Sequence, residues 1–114
     1  MAHLPKLDLR PDHLAEVLRL LRTHLPITEV WAFGSRAAWV AGEGSDLDLV
    51  VRNPNQLGQE QPKNFFDLKK AFTESNLPFL VDLHDWARIP ESFHRNIEKQ
   101  HVVVQKGETD PSEA

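Results

Sequence analysis

The run Asp46-Leu47-Asp48-Leu49-Val50-Val51-Arg52 constrains this chain more than any other. A strand repeats every two residues, so Asp46 and Asp48 share one face while Leu47, Leu49 and Val51 share the other. The aliphatic face needs a core to pack against, and the acidic face needs water or a cation. The alternation of strand and helix patterns along the rest of the chain argues that helices cover the sheet that holds this strand.

The rest of the chain supplies such helices. Leu14, Val17, Leu18, Leu21 and Leu25 recur at helical spacing, which predicts an amphipathic helix over 11–24 with Pro11 in its first turn and Pro26 helping to end it. Residues 29–33 (EVWAF) read as a buried strand broken by Gly34-Ser35, with a short helix over 36–40 and a turn over 41–45. The stretch 53–63, rich in Asn, Gln and Pro, reads as a loop, and Phe65, Leu68 and Phe72 mark one face of a helix over about 62–75. A third strand is expected over 79–84 (FLVDLH), a helix over 90–100 with Phe93 and Ile97 inward, and a last strand over 102–104. The expected order is α-β-α-β-α-β-α-β, an α/β fold with a sheet covered by helices. Strand directions cannot be read from these patterns.

With 114 residues, 40% of them apolar, the chain can bury one modest core. We assign residues 1–106 to a single domain and expect 107–114, which lacks an apolar anchor, to be a disordered tail. No cysteine is present, so disulfides and thiolate-ligated zinc are excluded and a reducing, cytoplasmic setting is expected. Neither a signal peptide nor a membrane-length apolar run is evident. A net charge of −4 disfavours a long nucleic acid as main partner.

The chemistry concentrates between Gly34 and Asp48. Gly34 lets a phosphate approach the backbone, the N–H groups at the following helix start favour an anion, Ser35 can add a hydroxyl donor, and Arg36 is placed to reach a phosphate oxygen. Alone, Gly-Ser is usually a plain turn. Ten residues separate it from Asp46 and Asp48, whose backbones on one strand face stand roughly 6.6 Å apart. Carboxylates so placed repel one another unless a cation sits between them, and hard oxygen ligands suit Mg²⁺ shared with substrate phosphates. Asp82 stands in the apolar run Leu80-Val81-Asp82-Leu83, where an unpaired buried charge would be costly, so it needs a partner or a metal. The same cost favours Asp82 over Asp85, which at the strand end can cap the segment after it.

Gly-Ser, ten residues, Asp-x-Asp and a later strand aspartate make the chain resemble the polymerase-β-type nucleotidyltransferases, with Gly34, Ser35, Asp46, Asp48 and Asp82 at the motif positions. The runs GSRAAWVAGEGSDLDLVV and VDLHDWARIPESFHRNIEKQ are similar to the minimal nucleotidyltransferase branch, which includes antitoxins encoded beside HEPN-domain toxins. The resemblance implies a small mixed sheet packed with helices. It further implies ATP as substrate, two Mg²⁺ ions on Asp46, Asp48 and Asp82, and AMP transfer to a tyrosine of a HEPN ribonuclease toxin in a hetero-oligomer. Lacking tyrosine, the chain cannot be its own tyrosine acceptor. Two rivals stand beside this reading: an antitoxin that acts only by binding, and transfer to a small molecule such as an aminoglycoside. Two departures from the branch are Ala38-Trp39, where Arg-Gly is common, and His84, where an aliphatic residue is common. Trp39 is expected to pack in the core or an interface, and His84 to be a surface histidine able to support Asp82 from the same strand face. The six histidines show no zinc-ligand spacing.

Overall fold

Four strands form one sheet in the order β3-β2-β1-β4, with β1 over Glu29–Phe33, β2 over Leu47–Arg52, β3 over Val81–Asp85 and β4 over Val102–Gln105. The computed structural model describes residues 5–42, 44–53 and 63–107. β1 runs antiparallel to both β2 and β4, whereas β2 and β3 are parallel. The sheet is therefore mixed, and β3 is an edge strand.

Helix α1 (Pro11–His24) begins with proline at its first turn, where the missing N–H costs nothing. Its buried stripe is Leu14, Val17, Leu18, Leu20 and Leu21. Helix α3 (Lys63–Glu74) buries Phe65, Leu68 and Phe72. Both pack on the same sheet face, against Leu47, Leu49 and Val51 of β2, Val30 and Ala32 of β1, and Leu83 of β3. The three β2 residues are each 0% exposed, as the alternation requires.

The opposite face carries a smaller, aromatic cluster of Trp31, Phe33, Val50, Trp86 and Ile97, closed by α4 (Glu91–Lys99). The Arg52 guanidinium lies 4.0 Å from the Trp31 ring centre and 4.5 Å from that of Trp86, so its charge rests on aromatic faces as well as beside Glu29. His101 stacks on Trp31 and His94 on Trp86, which makes these two histidines packing groups.

The element order matches the one the patterns predict, with a 3-10 turn at Trp86–Arg88 added. Helix α2 is shorter than expected and covers only Ser35–Ala38, because Trp39 turns into the left-handed region (φ 59°) and ends it. The third strand is displaced toward its C-terminal end, 81–85 rather than 79–84. The loop expected over 53–63 and the tail over 107–114 lie outside the described residues, save for their edges. Among the described residues, no helix is long and apolar enough to cross a membrane.

Candidate active site

Parallel pairing sets Asp48 of β2 directly beside Asp82 of β3, and antiparallel pairing sets Asp48 opposite Phe33 of β1. The chain leaves β1 at Gly34, whose backbone has φ 75°, a conformation that glycine adopts without strain. A side chain there would strike the Asp48 carboxylate oxygen Oδ2. Gly34 is thus required twice, by its dihedral and by the carboxylate lying against it. Ser35 follows as the first residue of α2. That helix has a single turn, so its dipole adds little and its unpaired leading N–H groups are the useful feature.

Asp46 is exposed and sits one residue before β2. Asp48 is half-buried. Burial holds its pKa above the ordinary carboxylate value, and the nearby negative charges of Asp82 and Asp46 push in the same direction, while His84 pulls back. A carboxylate that is desolvated and repelled by two others is a group that a divalent cation would relieve, so the donor set fits a metal.

Asp82 enters this cluster for a reason other than the one its sequence suggests. Its side chain is 56% exposed, so no unpaired buried charge calls for a metal there. β3 is an edge strand: Val81 and Leu83 turn to the aliphatic core, and Asp82 and His84 turn the other way, beside Asp48. The buried acid of this strand is Asp85, at 4% exposure. It caps the 3-10 turn by accepting from the Ala87 N–H at 3.2 Å and lies 3.8 Å from Arg88. Capping is the role expected of Asp85, but burial ranks the two acids in the opposite order to the one expected.

Arg36, expected to reach a phosphate, has a structural task in the fold. Its guanidinium is buried and donates twice to the Ser45 carbonyl (2.9 and 2.7 Å) and once to the Asp8 carbonyl (2.7 Å), with the Phe79 ring beneath it at 4.6 Å. It fastens the N-terminal arm and the loop carrying Asp46 to α2. Three of its five N–H donors are thus committed to backbone carbonyls.

His84, expected as a surface histidine, belongs to the cluster. Its Nε2 lies 3.1 Å from Asp82 Oδ2, and one ligand atom each from Asp48, Asp82 and His84 fall within 4.8 Å of one another. The available signal is the i, i+2 spacing from Asp82, which shares a strand face. Trp39 is 58% exposed, donates to the Lys6 carbonyl at 3.2 Å and borders an apolar groove with Leu7, Leu9 and Leu14. It lies neither in the core nor in the carboxylate cluster. An open cavity of about 740 Å³ between the N-terminal arm, His13 and Phe79 is lined by none of the three carboxylates.

A mixed sheet whose adjacent strands present paired aspartates beside a Gly-Ser turn defines a nucleotidyltransferase, and the chain belongs to the polymerase beta nucleotidyltransferase family, whose model matches residues 15–109. Within that family it is 41% identical over 111 residues to the "Probable protein adenylyltransferase MntA" of Haemophilus influenzae, spanning 95% of this chain and 92% of the relative. Its fold is similar to a chain in a crystal structure described as a toxin-antitoxin with AMP-PNP, with a TM-score of 0.65 at 20% identity over 83% of this chain and 74% of that one.

Proposed function

We propose that this protein is a metal-dependent adenylyltransferase that moves AMP from ATP to a tyrosine of a HEPN-domain ribonuclease toxin and thereby acts as its antitoxin. The observation that carries the reading is the register pair Asp48–Asp82, set beside Gly34 on the sheet face left open next to the aromatic cluster. The 41% identity to a probable protein adenylyltransferase supports AMP as the group moved and a protein as the acceptor.

Asp46, Asp48 and Asp82 would hold the cations, and the Gly34-Ser35 turn would present its N–H groups and hydroxyl to the triphosphate. Two Mg²⁺ ions, when bound, neutralise charge on the phosphates and on the attacking oxygen. The acceptor hydroxyl oxygen forms a bond to the α-phosphorus, the bond from that phosphorus to the β-phosphate bridging oxygen breaks, and pyrophosphate leaves. Asp82, the more exposed member of the register pair, is the one open to an incoming acceptor and would take or orient the hydroxyl proton. The acceptor is in trans, since no tyrosine occurs in the chain.

Mass spectrometry of the toxin tests this. Toxin made with the wild-type protein, ATP and Mg²⁺ gains one or more AMP units on tyrosine, and toxin made with the Asp46→Asn, Asp48→Asn double variant gains none. A toxin neutralised equally by both proteins and modified by neither refutes the proposal in favour of an antitoxin that only binds. Labelling of a small hydroxylated compound with no labelling of protein refutes it in favour of an antibiotic-modifying activity.

A further inference from the structure

Asp46, Asp48 and Asp82 account for the transfer chemistry and leave His84 without a task. Its position is nonetheless well determined. It follows Asp82 by two residues on the same face of β3, opposite Val50 of β2. Its ring lies 5.6 Å from that of Phe33 and 6.3 Å from that of Phe93, so aromatic neighbours limit how it can turn. The edge that remains free points its Nε2 at the carboxylates, 3.1 Å from Asp82 Oδ2.

That separation is the one expected of two neighbouring ligands on a common ion. Ligands at about 2.1 Å from an octahedral ion stand about 3.0 Å apart when adjacent. The ligand atoms of Asp48, Asp82 and His84 lie within 4.8 Å of one another, a spread that small side-chain rotations close. A nitrogen among these oxygens changes what the site selects. Mg²⁺ favours oxygen ligands and retained waters, whereas imidazole binds transition metals more readily.

We infer that His84 is a direct ligand of the cation held by Asp48 and Asp82, so that this site prefers a transition-metal dication such as Mn²⁺ to Mg²⁺. The inference rests on the proposal that Asp48 and Asp82 bind a cation at all. A histidine that merely hydrogen-bonds Asp82 would orient that carboxylate without altering metal choice, and the two roles separate experimentally.

Mn²⁺ is titrated into the full-length protein, with and without a non-hydrolysable ATP analogue, and followed by electron paramagnetic resonance. Pulsed measurements then read any coupling between the bound ion and a ¹⁴N nucleus. The wild type shows imidazole nitrogen coupling, and His84→Leu loses it. Mn²⁺ affinity falls in that variant by at least the roughly 10–100-fold that even an outer-sphere partner is worth, while Mg²⁺ affinity changes much less. His84→Gln, which can still donate a hydrogen bond to Asp82, behaves like His84→Leu. Thermal midpoints of both variants near that of the wild type exclude misfolding as the cause. Mn²⁺ binding that requires Asp48 but shows no ¹⁴N coupling, or a His84→Gln protein that keeps the wild-type metal preference, overturns the inference and leaves the nucleotidyl-transfer proposal standing. Mn²⁺ binding indifferent to Asp48→Asn overturns both.

Discussion

The two faces of β2 follow opposite rules. On one, Leu47, Leu49 and Val51 are completely buried against α1 and α3. On the other, a half-buried aspartate stands beside a second aspartate, with its pKa held up by burial and by like charge. The first face stabilises the folded chain throughout, whereas on the second Asp48 works against the stabilisation that buried Val50 supplies two residues away. Six residues of one strand thus combine fully buried aliphatic side chains with a half-buried aspartate that faces like charge. A site proposed to bind cations and phosphates gains from this arrangement, because strand pairing holds together carboxylates that would otherwise move apart.

The contrast can be broken from the aliphatic side first. Leu49→Ala leaves a cavity at a position with no solvent access and is expected to cost about 2–5 kcal/mol of unfolding free energy, read by urea denaturation. Its transfer activity per folded molecule should stay near that of the wild type. A loss well short of that range would mean that this face is loosely packed.

Arg36→Met tests how the N-terminal arm and the Asp46 loop are fastened to α2 beside the acidic face. The substitution leaves the Ser45 and Asp8 carbonyls without their buried donor, each at a cost of about 1–3 kcal/mol. Stability should fall while nucleotide affinity, measured by calorimetry on the folded protein, changes little. A protein of unchanged stability with sharply weakened ATP binding would restore Arg36 to phosphate recognition.

A smaller effect is expected from Mg²⁺ itself. Ion at about 100 times its dissociation constant should stabilise the wild type by about 2.7 kcal/mol, and Asp48→Asn should lose most of that increment. Without the ion the sign reverses. Because the Asp48 pKa is raised in the folded state, the folded chain holds this proton more tightly than the unfolded chain, so the contribution of Asp48 to stability declines as pH rises from the ordinary carboxylate value of 3.8 through the raised one. Asp48→Asn should flatten that decline. A pH profile of the thermal midpoint in chelator, identical in the two proteins, would contradict this.

Much of this architecture is legible in the sequence, because periodicity reports which residues share a face. The period-two run of β2 and the helical stripe of Leu14, Val17, Leu18 and Leu21 suffice for the element order and one core face. Pairing partners leave no such trace. Nothing in FLVDLH says that the strand lies at an edge, so its pattern presents Asp82 as a buried acid and hides the burial of Asp85, at 4% exposure. The role of Arg36 is hidden for a related reason: its acceptors, Asp8 and Ser45, lie 28 and 9 residues away, and their carbonyls are brought together only by the tertiary fold. His84 is easily passed over because a histidine two residues from an acid is common on strand surfaces, and only the parallel register brings Asp48 to the same place.

The proposed function has Asp48 serve chemistry at the expense of stability, and its most direct test is a paired measurement on Asp48→Asn. One half is AMP transfer to the toxin in ATP and Mg²⁺, and the other is urea unfolding in the absence of divalent ions. Transfer should fall by a factor of about 10²–10³, the scale on which preorganised charge stabilisation acts, while stability equals or exceeds that of the wild type. Undiminished transfer, or a stability loss like that of Leu49→Ala, would contradict this trade.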